Sequence, residues 1–192
     1  MQMQTYTGRM IDPLNLRPAD VDIIDVAHAL SNTCRFGGHT RSFYSVAEHS
    51  LLVSHLVPHE HALCGLLHDA PEAYLGDVIW PLKPRMFLQF GETPGPFGHY
   101  EDRLWCDAIA PAFDLPAFMP RCIKEADDMA VAAEAEFFMG HGAPASWTEL
   151  RLLPKPPVVI FSCYDPPGAR KRFLERFQEL SAPAETPAGG VK

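Results

Sequence analysis

The chain has 192 residues, 47% of them hydrophobic and 21% charged, with a formal net charge of −8. That length suits one well-formed core and would cramp two domains, and the composition is that of an ordinary globular protein. No apolar run approaches the roughly 18 residues of a membrane span, no signal-peptide pattern opens the chain, and no dense Lys/Arg block suits broad binding of polymeric nucleic acid, so the expectation is a cytoplasmic protein.

Residues 1–22 contain Pro13 and Pro18 and show little periodicity, which predicts an extended arm with a short strand or hairpin. From Ile23 to Cys34, the residues Ile23, Val26, Ala27 and Leu30 recur at helical spacing. Gly37-Gly38 then breaks the pattern, with Arg35, His39 and Arg41 around it. A helix is predicted from Ser45 to Val57, closed by Pro58. The next begins near His59 and carries ALCGLLHDA, apolar on nearly every face as a buried helix is. Gly76 to Gly98 is rich in Pro and Gly and reads as loops with short helical turns. Helices follow from Tyr100 to Ala110 and from Pro120 to Met139, where Pro120 suits a first turn because its missing N–H costs nothing. In the Pro-rich stretch 142–167, the apolar run Val158–Phe161 suits a strand or an extended packing segment. A last helix spans Ala169 to Leu180, and the small, polar tail 181–192 reads as disordered. No internal repeat interrupts this order. The predicted fold is all-α: one helical domain over 23–180 with an extended N-terminal arm.

The five cysteines form no C-x-x-C pair, so neither a zinc ribbon nor a disulfide framework is indicated. Cys64 and Cys122 fall within apolar helical patterns and read as small core residues in a reducing compartment.

Nine histidines occur, six of them between positions 39 and 68. Any one alone is more often structural than functional; their arrangement carries the argument. His68 and Asp69 end an otherwise apolar helix, where two buried ionisable groups cost several kcal/mol unless compensated, as a shared cation would do. His49 lies on the stripe of Val46, Val53 and Leu56. Two antiparallel helices turning at Pro58 would bring its imidazole toward that of His68. In RCIKEADDMAVAAEAEFF the inward stripe is Ile123, Ala126, Ala130, Ala133 and Phe137, and Asp127 sits beside it. Asp128 instead follows Lys124 by one helical turn, where an exposed ion pair explains it. Asp127 is therefore the preferred fourth ligand.

Two imidazoles and two carboxylates without thiolate suit Mn²⁺, Co²⁺, Ni²⁺, Fe²⁺ or Mg²⁺ in an open site better than structural zinc. Such a metal lowers the pKa of bound water and polarises a phosphoryl group. Glu72, just after Pro71, either moves a proton at that water or merely complements a helix dipole. Arg35 is the best-placed phosphate donor, with Arg41 and Lys83 behind it. His39 could bind phosphate or replace His49, and Asp77 could contact a sugar hydroxyl or simply shape a turn.

The ordered set EHS, HDxxE, GD and EAD, within RFGGHTRSFYSVAEHS, LLHDAPEAYLGD and KEADDM, resembles the HD superfamily of metal-dependent phosphohydrolases. Over residues 23–139 it looks like the branch of bacterial 5′-deoxynucleotidases and phage dATP triphosphohydrolases, to which the RMIDPLNLRPADVDIIDVAHAL segment is also similar. The resemblance implies an HD-type helical bundle with metal ligands His49, His68, Asp69 and Asp127. It also implies Glu72 as catalytic acid/base, Arg35 as phosphate-binding arginine and Asp77 as a substrate contact. Phe36 stands where members often carry Trp, keeping a stacking surface but losing the indole donor. The expected activity is release of phosphate from deoxyribonucleoside 5′-monophosphates. The alternatives are a dNTP triphosphohydrolase, for which Arg41 or Lys83 would hold further phosphates, and a metal-containing nucleotide-binding protein without turnover. Self-association into a dimer or larger homo-oligomer is implied by the resemblance alone.

Overall fold

The structure is a computed structural model that describes residues 2–90, 93–139, 154–156 and 159–182. It is mostly helical, with two small antiparallel sheets. The N-terminal arm is a hairpin in which β1 (Met3–Gln4) pairs with β2 (Met10–Ile11), Met3 opposite Ile11. Asp25, buried on α1 (Ile23–Asn32), ties that hairpin down by accepting the Thr7 N–H at 2.7 Å and the Thr7 hydroxyl at 2.8 Å. Asp22 caps α1 by accepting from the Ile24 N–H at 2.9 Å.

The chain next makes a closed excursion: the Arg35 N–H donates to Tyr44 O at 2.9 Å and the Val46 N–H to Thr33 O at 3.0 Å. At its tip Phe36, Gly37 and Gly38 all have positive φ (53°, 60° and 78°), which explains the two glycines, since only glycine enters that region without strain. Ser45 caps α2 (Val46–Leu56), and five consecutive α2 residues, Val46 to Ser50, are buried. Pro58 and a 3₁₀ turn (His59–His61) reverse the chain into α3 (Ala62–Leu67). A short α4 (Glu72–Leu75) begins directly after Pro71, as its restriction of Ala70 predicts.

The stretch expected to be loop holds a second hairpin, β3 (Phe87–Phe90) with β4 (Thr93–Pro96), Leu88 opposite Gly95. Its prolines are tolerated because both strands of a two-stranded ladder are edges. α5 (Phe97–Leu104) therefore starts earlier than Tyr100, and it continues through a π-helical turn (Trp105–Ile109) into α6 (Ala110–Ala112). Pro120 proves to be the N-cap of α7 (Arg121–Phe138) rather than a first-turn residue: its ψ of 142° is extended. The last helix, α8 (Pro166–Ser181), starts before the predicted Ala169 because Asp165 accepts from the Gly168 N–H at 2.9 Å and two prolines fill the first turn.

Helices α1, α3, α7 and α8 all pack on α2, which makes α2 the centre of the core. Residues 159–161 form no strand; Phe161 packs on Tyr44 and Phe138 at centroid distances of 5.7 and 5.0 Å. Val158 and residues 183–192 of the tail lie outside the described residues. No helix among the described residues is long and apolar enough to cross a membrane.

Candidate metal centre

α2, the end of α3 and α7 converge on one buried cluster. His49, on α2, is fully buried, and His68 caps the C-terminal end of α3 at 7% exposure. Their ring centroids are 5.2 Å apart. That closeness depends on Gly65: a Cβ there would lie 3.1 Å from Val57 Cγ2 and 3.3 Å from Ser54 Cα, so glycine lets α3 approach α2. The carbonyl of Gly65 also accepts the Nδ1–H of His68 at 2.8 Å, which assigns that tautomer and leaves Nε2 to face the cluster. His49 is set the same way, its Nδ1 lying 2.6 Å from Glu134 Oε1.

Both Nε2 atoms are buried without a hydrogen-bond partner. Asp69 Oδ2 lies 3.5 Å from His49 Nε2 and 3.3 Å from His68 Nε2, and Asp127 Oδ1 lies 3.2 Å from His49 Nε2. Neighbouring ligands of one ion with bonds of about 2.1 Å sit about 3.0 to 3.4 Å apart. His49, His68 and Asp69 thus form a group able to hold a metal ion, the one such group among the described residues. Asp127 borders it through His49. Lys124 pairs with both Asp127, at 3.6 Å, and Asp128, and among the described residues Asp128 makes no ion pair with the imidazoles.

The surrounding field favours a cation. Burial and the Arg35 charge oppose protonation of His49, yet Glu134 and Asp127 outweigh them and raise its pKa to about 10. Burial pushes against ionisation of Asp127, but His49, His68 and Arg35 hold it well below the usual carboxylate range. Glu72, 5% exposed with Oε2 unpartnered, is raised well above its ordinary value by burial, then by Asp69 and Asp77. Burial likewise raises Asp77, against the pull of Arg35.

Arg35 reaches the cluster from the loop after α1, with Nη2 3.3 Å from Glu134 Oε2 and Nη1 4.0 Å from Asp69 Oδ2. Phe36 packs beside it, its ring centre 5.7 Å from Cζ. Lys83 pairs with Glu101 at 2.7 Å and stands 3.8 Å from Glu72. A cavity of about 510 Å³ opens on the cluster, lined by His68, Asp69, Glu72, Lys83 and Asp127 among others. Two of the weaker candidates lie elsewhere. Arg41 is exposed and donates to the Phe137 carbonyl near the end of α7, so it does not extend the phosphate site. His39 is exposed on the loop, and the buried place among the ligands belongs to His49.

Two residues at the cluster and its cavity escaped the sequence reading. Glu134 is fully buried, whereas the predicted Ala133 is only half-buried and Phe137 is 47% exposed. The stripe follows apolar residues alone and so misplaces the second half of α7, where a glutamate is buried. The available signal was spacing: Ile123, Asp127, Ala130 and Glu134 share one helix face. Phe118 is 85% exposed at the lining of the cavity. Its loop is held by Trp105 Nε1 donating to Pro116 O at 3.1 Å and by the Cys106 thiol donating to Ala117 O at 2.9 Å.

The molecule is thus a helical protein with a buried, acid-rich pair of imidazoles that could hold a metal ion. No family model matches the chain. It is 35% identical over 180 residues to the uncharacterized protein YfdR of Escherichia coli, with 93% of this chain and 95% of that protein covered. It is 36% identical over 192 residues to an uncharacterized protein of Rhodobacter capsulatus, with 91% and 92% covered. The chain belongs to the YfdR family. Neither relative's name states an activity.

Proposed function

We propose that the protein is an HD-type metal-dependent phosphohydrolase that releases phosphate from deoxyribonucleoside 5′-monophosphates. The observation that carries this reading is the convergence of two unpartnered Nε2 atoms and Asp69 in one buried cluster, with Arg35 and Glu72 beside it. The HD-like order of motifs along the chain supports it. His49, His68, Asp69 and Asp127 would hold the ion. When bound, a divalent ion polarises the phosphoryl oxygens and acidifies water.

The protein's own groups account for the rest. Arg35, half of whose guanidinium is anchored on Glu134, faces the cluster and balances negative charge developing on the phosphoryl oxygens. Burial, then Asp69 and Asp77, raise the Glu72 pKa well above its ordinary value, which favours the acid form that would donate a proton to the departing 5′-oxygen. Phe118 offers an apolar face at the cavity for the base, and Phe36 lies beside Arg35.

The charge around the cavity favours a monophosphate over a triphosphate. Lys83 pairs with Glu101 at 2.7 Å, Arg121 with Glu125 at 2.9 Å, and Lys124 with Asp127 at 3.6 Å. Two further phosphates would have to displace these partners. The test is to reload metal-stripped protein with Mn²⁺, Co²⁺ or Mg²⁺ and resolve the products from dNMP, dNTP, NMP and NTP panels. Phosphate from dNMPs, lost in Asp69→Ala, is the expected result. Triphosphate from a dNTP would replace the monophosphatase reading, and inert but metal-bound protein would overturn the claim of turnover.

A further inference from the structure

We infer that Glu134 is a positioning residue that sets two groups at once, the metal-facing imidazole of His49 and the phosphate-facing guanidinium of Arg35. This rests on the reading of the cluster as a metal-dependent phosphohydrolase site.

Glu134 has no solvent exposure, and a carboxylate so placed is costly unless donors surround it. Three do, from separate parts of the chain. Oε1 lies 2.6 Å from His49 Nδ1 and accepts the Tyr44 hydroxyl at 2.9 Å, while Oε2 accepts from Arg35 Nη2 at 3.3 Å. Stability alone does not call for this arrangement, since a buried ion-pair network replaced as a whole by apolar residues is often as stable.

The geometry gives each bond a consequence. A bond at Nδ1 fixes the rotation of the His49 ring, and with it the direction of Nε2 toward Asp69 and Asp127. His68 receives the same constraint from the Gly65 carbonyl, a backbone atom; for His49 it comes from a side chain. On the other oxygen, Nη2 anchors one end of the Arg35 guanidinium. Its Nε is buried with no hydrogen-bond partner, and Nη1 stands 4.0 Å from Asp69. One carboxylate therefore sets the relation between the cation site and the anion site.

Glutamine keeps the shape of residue 134 but has a single acceptor atom. In Glu134→Gln the amide NH₂ must face either Arg35 or His49 Nδ1–H, donor against donor, so one arm is lost.

The experiment titrates metal-stripped full-length protein with Mn²⁺ by calorimetry and with Co²⁺ by its visible absorption. Inorganic phosphate is then titrated onto the cobalt-loaded protein, with circular dichroism melts as the check on folding. Glu134→Ala is expected to weaken metal binding by about 10- to 100-fold and to change the cobalt spectrum. Glu134→Gln is expected to weaken metal or phosphate binding by about tenfold or more. Should the alanine variant not fold, Glu134→Asp, which withdraws the carboxylate by one methylene, carries its expectation. Folded variants whose two affinities and cobalt spectrum match wild type would overturn the role given to Glu134 alone. A wild-type chain that binds neither metal would overturn the underlying reading of the site.

Discussion

Gly65→Ala tests whether the closeness of α2 and α3 builds the site. In an open helix this change gains about 1 kcal/mol of helix propensity. Here the new Cβ would sit 3.1 Å from Val57 Cγ2, 3.3 Å from Ser54 Cα and 3.4 Å from Ser54 N. Two of those three atoms are backbone, so no rotamer change relieves the contact and the helices must part by a few tenths of an ångström. Overpacking of this kind costs about 1–3 kcal/mol. The net expectation is a loss of about 0–2 kcal/mol, or a fall of a few degrees in Tm at this chain length. His49 lies on α2 and His68 at the end of α3, so the same movement separates their Nε2 atoms. Metal affinity should fall by about 3- to 10-fold, a shift on the order of 1 kcal/mol. Gly98→Ala is the control: nothing lies within 4 Å of its added Cβ, so stability should hold or rise slightly and metal binding should not change. Differential scanning fluorimetry with and without Mn²⁺ reads both effects. A Gly65→Ala protein as stable as wild type and equal in metal affinity would refute the reasoning.

Three other outcomes are expected. Glu72→Gln should keep its metal and its Tm but lose about 100-fold or more in turnover if the buried carboxyl with its unpartnered Oε2 is the acid, as proposed; turnover within threefold of wild type would remove that role. Arg35→Lys cannot span Glu134 and Asp69 as the guanidinium does, at 3.3 and 4.0 Å, so phosphate binding measured by calorimetry should weaken by about tenfold. Burial raises Glu48 from 4.5 to about 7 although the Tyr164 N–H donates to it. Its folded form thus holds a proton that the unfolded chain has lost, and stability falls as pH rises from about 4.5 through 7. Between pH 5 and 8, Glu48→Gln should gain about 1–2 kcal/mol relative to wild type, allowing for partial solvent screening; a pH-independent difference in urea midpoints would contradict this.

The helices were legible wherever periodicity and punctuation agreed. Ser45 and Pro58 bracket α2, and the apolar residues of ALCGLLHDA mark the buried α3. Boundaries were missed where capping chemistry moved them. Asp165 with Pro166 and Pro167 starts α8 before its apolar face begins, and Pro120 caps α7 instead of entering it. The β3–β4 hairpin was hidden because prolines argue against strands in general but not against edges. Within the site, His68-Asp69 and His49 stood out as ionisable residues on apolar faces. Glu134 belongs to the same class of signal, yet a glutamate near the end of a helix has a cheap surface explanation. Its burial follows from three donors supplied by residues remote in sequence, Arg35, Tyr44 and His49, and local pattern does not report them.

Charge balance separates this cluster from an ordinary buried ion-pair network. Asp69, Glu72, Asp77, Asp127 and Glu134 converge there, while the cationic side chains acting on them are Arg35, Lys83, which is shared with Glu101, and Lys124, which is shared with Asp128. A core that needed only stability would be served as well by apolar packing. The surplus of carboxylates is instead concentrated where two imidazoles, each fixed through Nδ1, turn Nε2 toward one another and toward Asp69. The raised pKa values of His49 and Glu72 are the response of those groups to this excess. A divalent cation at the Nε2 atoms would offset it with a single ion.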